Sequence, residues 1–398
     1  MNTLVNHGVK ELSEALTLND TELATLIIHH PDFSADYVGF RAYLWNQLDV
    51  LAFLQASTLP MPLTNTFLNV KMLAHRFSID GYITMYSDNT PIPFMLGGHI
   101  AKIAMNEAYL SLDVYAQLHP QSQLEDVVDA LAFSCAPDFN GQNAMIYLRQ
   151  ENPLPLYIPS GWEGHIIGLV IHNDTLYICN RGEGSDSEHA IVVYHIGNQE
   201  ALNAELIDRL ILREESRNFI QKELHELLEL TEINSIAGPV QTVGNCAWFS
   251  AIESIHAMLI AKDPMTADIF FKDWVAFDLN LSLSSLPLLE DPRAQAMQDE
   301  VLSKILLSQH NAFDLHHVER GHYILEHVLD PSSLLKSLAD PLFHQALINN
   351  QSEIPNQDRL HLLDILDPPQ PLNITTIPTF NEQQLLCLAQ IPCQAEWI

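Results

Sequence analysis

The chain has 398 residues, enough for two domains or one enlarged one, and 47% of them are apolar, enough to bury a sizeable core. Fifty acidic residues stand against 18 basic ones, a net charge of −32 that repels phosphate backbones and argues against general nucleic-acid binding. The same charge favours basic partners and keeps a chain in solution, and charged residues at only 17% beside 47% apolar ones are not the composition of a disordered chain.

The N-terminal MNTLVNHGVKELSEAL has no basic stretch followed by an apolar run, so no signal peptide is expected. Residues 1–130 read mostly as helix. LNDTELATLIIHH has Asn19 or Asp20 as an N-cap before a leucine and isoleucine stripe, and FRAYLWNQLDVLAFLQAS is a second helical pattern. FSIDGYITMYSDNTPIPFML differs: the alternation around Tyr82–Tyr86 and the Ser-Asp-Asn-Thr turn predict a hairpin.

The middle of the chain carries β-rich runs. GHIIGLVIHNDTLYICNRGEG holds one from Ile166 to Ile171 and another from Leu176 to Cys179, around the tight turn His172-Asn173-Asp174-Thr175. Ala190–Ile196 is a third strand. ALNAELIDRLILREESRNFIQKELHELLEL then reads as one or two amphipathic helices. The loop GPVQTVGNC precedes AWFSAIESIHAMLIA, whose Trp248, Ile252, Ile255 and Leu259 have helical spacing. After Asp263 helical patterns return, broken by prolines. No stretch reaches eighteen apolar residues, so no membrane span is expected.

This order of helices, strands and helices predicts an α+β fold: a core at 131–262 with a small mixed sheet, between a helical region at 1–130 and another at 263–398. The five cysteines, Cys135, Cys179, Cys246, Cys387 and Cys393, are odd in number and form no CxxC pair, which fits a reducing, cytosolic setting.

Cys246 stands out because Gly244 and Asn245 precede it and a helix begins at or just after it. Unsatisfied N–H groups and the partial positive charge of a helix start favour thiolate, the reactive form. Gln241, five residues earlier, and the backbone N–H of Cys246 would together supply an oxyanion hole. His165 opens an apolar strand and can take a thiol proton near neutral pH. Asn180 follows fifteen residues later, across a hairpin, where it can hold the imidazole by accepting its second N–H. Asp174, at the turn, lies at the far end of that hairpin. Trp162 and Trp248 flank the two reactive candidates and either line a substrate groove or pack in the core. Arg181 either binds a substrate carboxylate or pairs with Glu183.

The order His, Asn, Gln, Cys, carried by PSGWEGHIIGLVI, ICNRGEGS and QTVGNCAWFS, resembles the ubiquitin-like-protein protease superfamily, which includes the SUMO proteases and adenovirus protease. The same pieces resemble cysteine-protease-like effectors of intracellular bacteria of the Legionella kind. The resemblance spans residues 157–262. It implies a cysteine-protease-like core with His165 as base, Asn180 as orienter, Gln241 as oxyanion donor and Cys246 as nucleophile. It also implies cleavage at the C-terminal tail of ubiquitin or a ubiquitin-like protein, and secretion into a host cell without a classical signal peptide. That superfamily usually has Asp or Glu where Asn180 stands, and its SUMO proteases have Trp where Ile166 follows the histidine.

Two other readings use the same residues: an acetyltransferase in which Cys246 carries the acyl group, and a catalytically silent module that binds host proteins. A second histidine set, His316, His317, His322 and His327 with Glu319 and Glu326, contains no HExxH and reads as structural. In a papain-like order, His322 with Asp330 would instead serve Cys246. No GxGxxG, Walker A or GxSxG motif is present, and neither a cofactor nor a metal is expected.

Overall fold

The computed structural model describes residues 12–18, 21–29, 38, 50, 53, 54, 56, 57 and 63–308, apart from 80, 88–89, 98–100, 123, 137, 186–188, 213–214, 239–244 and 287–288. The chain divides into two compact units. The described residues up to Gly97 and from Leu279 onward form one, and those between 101 and Asp278 form the other. The sequence-based boundaries at 130 and 262 both fall inside the second unit. The predicted helix FRAYLWNQLDVLAFLQAS lies largely outside the described residues.

In the first unit, helix α1 is Thr21–Ile28 and α2 is Thr64–Arg76. The predicted hairpin is present as β1 (Tyr82–Ser87) and β2 (Thr90–Met95), antiparallel with Ser87 opposite Thr90. Buried Lys71 of α2 is held by the carbonyls of Met95 and Gly97, at 3.2 and 2.7 Å.

The second unit is α+β. Helices α3 (Ala101–Leu118), α4 (Glu125–Cys135) and α5 (Gly141–Leu148) precede strands β3 (Leu156–Trp162), β4 (His165–His172), β5 (Thr175–Cys179) and β6 (His189–His195). Then come α6 (Ala204–Leu212), a π turn at Phe219–Glu223, the short α7 (Leu224–Leu227) and strand β7 (Thr231–Ala237). Helices α8 (Cys246–Lys262) and α9 (Ala267–Ser284) follow, and the unit boundary falls within α9. Helix α10 (Pro292–Ser308) belongs to the first unit.

The sheet has the order β3-β4-β5-β6-β7, and every neighbouring pair is antiparallel. The sequence led us to expect a mixed sheet; each strand here returns beside its predecessor, so no parallel crossover arises. The β4–β5 hairpin has the expected two-residue loop, with Asn173 at φ 55°. Strand β3 carries Pro159, which supplies no ladder N–H and is tolerated because β3 is an edge. Gly161 and Gly164 sit at φ +147° and +78° and allow the two-residue turn Glu163-Gly164, which brings Trp162 opposite His165. Strand β7 forms the other edge. It is mostly exposed and polar, and its ladder with β6 is offset twice.

Side chains alternate across the sheet, so its two faces can be assigned. Leu156, Ile158, Trp162, Ile167, Leu169, Ile171 and Leu176 pack with Leu206, Ile207 and Leu210 of α6 and with Phe219, Ile220 and Leu224. The opposite face receives α8. That helix is apolar on nearly every side and buried through its middle, as a helix covered all round must be. The closest approach is at Gly168: a Cβ there would collide with Ser254 Oγ and lie 3.1 Å from the Ser250 carbonyl. We expect Gly168→Ala to cost about 1–3 kcal/mol by overpacking. Adding Ser254→Ala should recover part of that loss. Thermal or denaturant unfolding measures both, and a wild-type Tm in the single variant would refute the close approach.

Candidate functional site

The register places His165 and Asn180 at one end of the sheet. His165 opens β4 opposite Trp162, and β5 ends at Cys179, opposite both Gly168 and Ile191. His189 pairs with Ala237, the last residue of β7, so the segment running to Cys246 departs from that same end. Cys246 is the first residue of α8, with Asn245 at the N-cap position, and its thiol is partly exposed and reduced.

His165 and Asn180 are brought into direct contact, with Nε2 2.9 Å from Asn180 Oδ1. The tautomer follows from the neighbours. The Gly182 backbone N–H can only donate, and it reaches the same Oδ1 at 3.0 Å; Asn180 Nδ2 donates to the Glu183 carbonyl at 3.0 Å. The amide orientation is therefore set by the backbone, Nε2 carries the imidazole hydrogen, and Nδ1 carries the lone pair. The Asn180 N–H in turn donates to the Ala190 carbonyl at 3.0 Å, so the orienter is tied down through both backbone and side chain.

Burial pushes the His165 pKa below its ordinary 6.5; Asn180 and Glu183 pull it up and Arg217 pushes it down, so the imidazole is neutral at pH 7. The Trp162 ring lies 4.8 Å from the imidazole, centroid to centroid, and contributes to that dry setting. Cys179, the other thiol of this region, is fully buried and hydrogen-bonded to the Glu253 carbonyl, and burial pushes its pKa up. A thiol in that state is inert.

Alternation carries a further result. Trp162, Ile167, Leu169 and Ile171 face α6, whereas the Gly168 position faces α8. His165 therefore projects on the face away from α8, and a thiol on that helix can meet the imidazole only round the end of β4. Cys246 is the first residue of that helix.

Trp162 and Trp248, read as possible groove residues, are 5% and 3% exposed and belong to the interior. Asp174 sits at the distant β4–β5 turn, 3.3 Å from His195 Nδ1. Arg181 does not pair with Glu183, which binds Arg217 instead at 2.9 Å. The Arg181 guanidinium crosses to Glu253 of α8 at 2.5 Å and lies 4.6 Å over the Phe249 ring. The sequence does hold a signal for that partner: Glu253 interrupts an apolar helix that leaves no polar face for it, so a buried cation had to meet it. Gln241, Cys387, Cys393, Asp330 and the histidine set at 316–327 lie outside the described residues.

Compared with models of known protein families and with curated protein sequences, the chain matches none. Among solved structures it is similar to the Legionella effector AnkH, with a TM-score of 0.57 and 18% identity, over 89% of this chain and 82% of that one. At that identity the likeness concerns the fold. No helix among the described residues is long and apolar enough to cross a membrane.

The Asn180 contact makes a signed prediction. The unfolded chain takes up a proton near pH 6.5 that folded His165 resists, so this residue's contribution to stability falls as pH drops through 6.5. His165→Gln should flatten that part of the stability profile. In His165 imidazole NMR titrations, Asn180→Ala should lower the pKa further, by removing the bond that favours the cation, and Asn180→Asp should raise it above wild type. An unchanged titration in Asn180→Asp would show that the two side chains are uncoupled in solution.

Proposed function

We propose that the chain is a thiol hydrolase of polypeptide tails, with Cys246 as nucleophile, His165 as base, Asn180 as its orienter and Gln241 as an oxyanion donor. The observation that supports this best is the His165–Asn180 bond, which leaves a neutral imidazole with its lone pair on Nδ1. In this reading Nδ1 takes the Cys246 proton and the thiolate attacks the scissile carbonyl. The tetrahedral oxyanion accepts hydrogen bonds from the Gln241 amide and the Cys246 N–H. Its collapse breaks the C–N bond as the imidazolium returns the proton to the leaving amine. Water, deprotonated by the same imidazole, then hydrolyses the thioester and restores the thiol.

The substrate in this proposal is the C-terminal tail of ubiquitin or a ubiquitin-like protein, as the resemblance of the His, Asn, Gln and Cys segments implies. The acidic chain suits a basic tail. The likeness to a Legionella effector supports a protein delivered to a host cell. Asn180 is uncharged, so it stabilises imidazolium less than a carboxylate would, which favours modest turnover.

One observation favours a second reading. His165 is only 6% exposed, and its side chain lies on the face away from α8, which suits a fold that has kept the residues of a thiol site while serving as a binding module.

Ubiquitin carrying a C-terminal electrophile separates the two. A hydrolase is labelled at Cys246, and Cys246→Ala abolishes labelling and turnover of a fluorogenic ubiquitin-tail substrate. Gln241→Ala should lower kcat by roughly 100- to 1000-fold with KM little changed, because the oxyanion exists only along the reaction path. Labelling at Cys135 instead, or a raised KM with wild-type kcat in Gln241→Ala, would remove these assignments. A silent module is inert to the electrophile and unaffected by alkylation of Cys246.

A further inference from the structure

Asn180 and Arg181 are neighbours in the chain, and their side chains leave on opposite faces of the sheet. Asn180 holds the imidazole on the α6 face, and Arg181 reaches α8 on the other. The guanidinium is enclosed on three sides. The Glu253 carboxylate is 2.5 Å from Nη2, the Phe249 ring lies 4.6 Å beneath the guanidinium carbon, and a Cβ at Gly238 would stand 3.2 Å from Nη2 while striking Ala190 Cβ. Arg181 and Glu253 are 10% and 2% exposed, so the pair is held in a medium of low dielectric and its partners are not readily exchanged for water.

The contacts share one feature. Phe249 lies one turn after Cys246 on α8, Glu253 lies one turn further, and Gly238 opens the segment that leads to Cys246. Glu253 has a neighbour on its far side: its second oxygen lies 3.6 Å from His256 Nδ1, while His256 Nε2 is 2.9 Å from Asp268 Oδ1 on α9 and the His256 ring stacks on Phe271 at 4.0 Å. A planar guanidinium suits such a place. It offers a fork to a carboxylate and a flat face to an aromatic ring, which an ammonium cannot do together.

We propose that Arg181 is a positioning residue: by tying the strand end that carries Asn180 to the first two turns of α8, it holds the imidazole and the Cys246 thiol in one rigid frame. The proposal rests on the reading of these two residues as base and nucleophile. Arg181 touches no reacting atom; it acts through Asn180 on one side and through α8 on the other.

The test is whether the two sides remain coupled when the tether is cut. Arg181→Met alone leaves a buried carboxylate unpaired and is expected to unfold readily, so the informative variant is Arg181→Met with Glu253→Met, which replaces the pair by apolar groups of similar length. Two readouts are taken on full-length protein whose fold is checked by circular dichroism. One is the pH profile of Cys246 alkylation by iodoacetamide, with and without His165→Ala; the other is the set of imidazole nitrogen shifts of His165. In the otherwise wild-type chain, His165→Ala should slow alkylation at pH 7 by about 10-fold or more, since one pKa unit of thiolate stabilisation is a factor of ten. In the folded Arg181→Met/Glu253→Met background the same change should have less than a 2-fold effect, and Arg181→Lys should fall between. If the folded double variant keeps both the full His165 effect and wild-type nitrogen shifts, the positioning role is refuted and the thiol site stands. If His165→Ala changes nothing in the otherwise wild-type chain, the thiol site itself falls, and the positioning role falls with it. Should the double variant fail to fold, Glu253→Gln, which keeps a hydrogen-bond acceptor for Arg181, decides on the same criteria.

Discussion

The contact between α8 and the sheet at Gly168 governs the arrangement of the second unit. A helix lies this close to a strand only where the strand offers no side chain, and here the Ser250 carbonyl and Ser254 hydroxyl fill the space that a Cβ would take. That approach sets the depth of α8, and with it the height of Cys246 relative to the ends of the strands. It also decides which residues of β4 look toward the helix. A one-residue slip would put Ile167 against Ser254 and turn His165 toward α8, so the face on which the imidazole lies follows from one glycine and the two-residue period of a strand.

The sheet then serves as a partition. Its α6 side is apolar and dry and suits a neutral imidazole held by an amide. Its α8 side, at the same end, holds the buried Arg181–Glu253 ion pair. Elements of opposite character, one avoiding charge and one built from it, are kept apart by a single layer of backbone and joined by two consecutive residues. Such a pair lends the layer resistance to shear, because sliding α8 along β5 would separate ions in a medium that does not solvate them.

Much of this was legible in the sequence, for identifiable reasons. The β4–β5 hairpin was visible because an unbroken apolar run, a two-residue turn rich in Asn and Asp and a second apolar run allow few other folds. The start of α8 was visible because the apolar spacing begins abruptly after Gly244-Asn245. The pairing of His165 with Asn180 followed from the hairpin. Strand β3 escaped because Pro159, Ser160 and Gly161 look like a loop, and only its place at the sheet edge makes a proline acceptable there. Strand β7 escaped because TEINSIA is largely polar, as a solvent-facing rim can be, and it has no alternation to betray it. The pairing of Arg181 with Glu183, one of the two readings of that arginine, failed for the complementary reason: closeness in sequence says little about two residues that leave a strand end in different directions. Trp162 and Trp248 were marked as neighbours of reactive residues, and neighbours they are, but as filling and not as walls of a groove.

Strand β7 has a consequence for how the molecule behaves in company. Along the seven residues of this rim, alternate ones turn their amides and carbonyls away from β6, most of the side chains are exposed, and Ile233 stands well out from it. A straight rim of that length would serve as a template on which another copy could zip. Two offsets bend this one, Glu232 charges it, and every copy that approaches carries the same large negative charge. The expected result is a chain that stays dispersed at low ionic strength and becomes prone to edge-to-edge association as salt rises, because screening removes the repulsion and leaves the bends to resist alone.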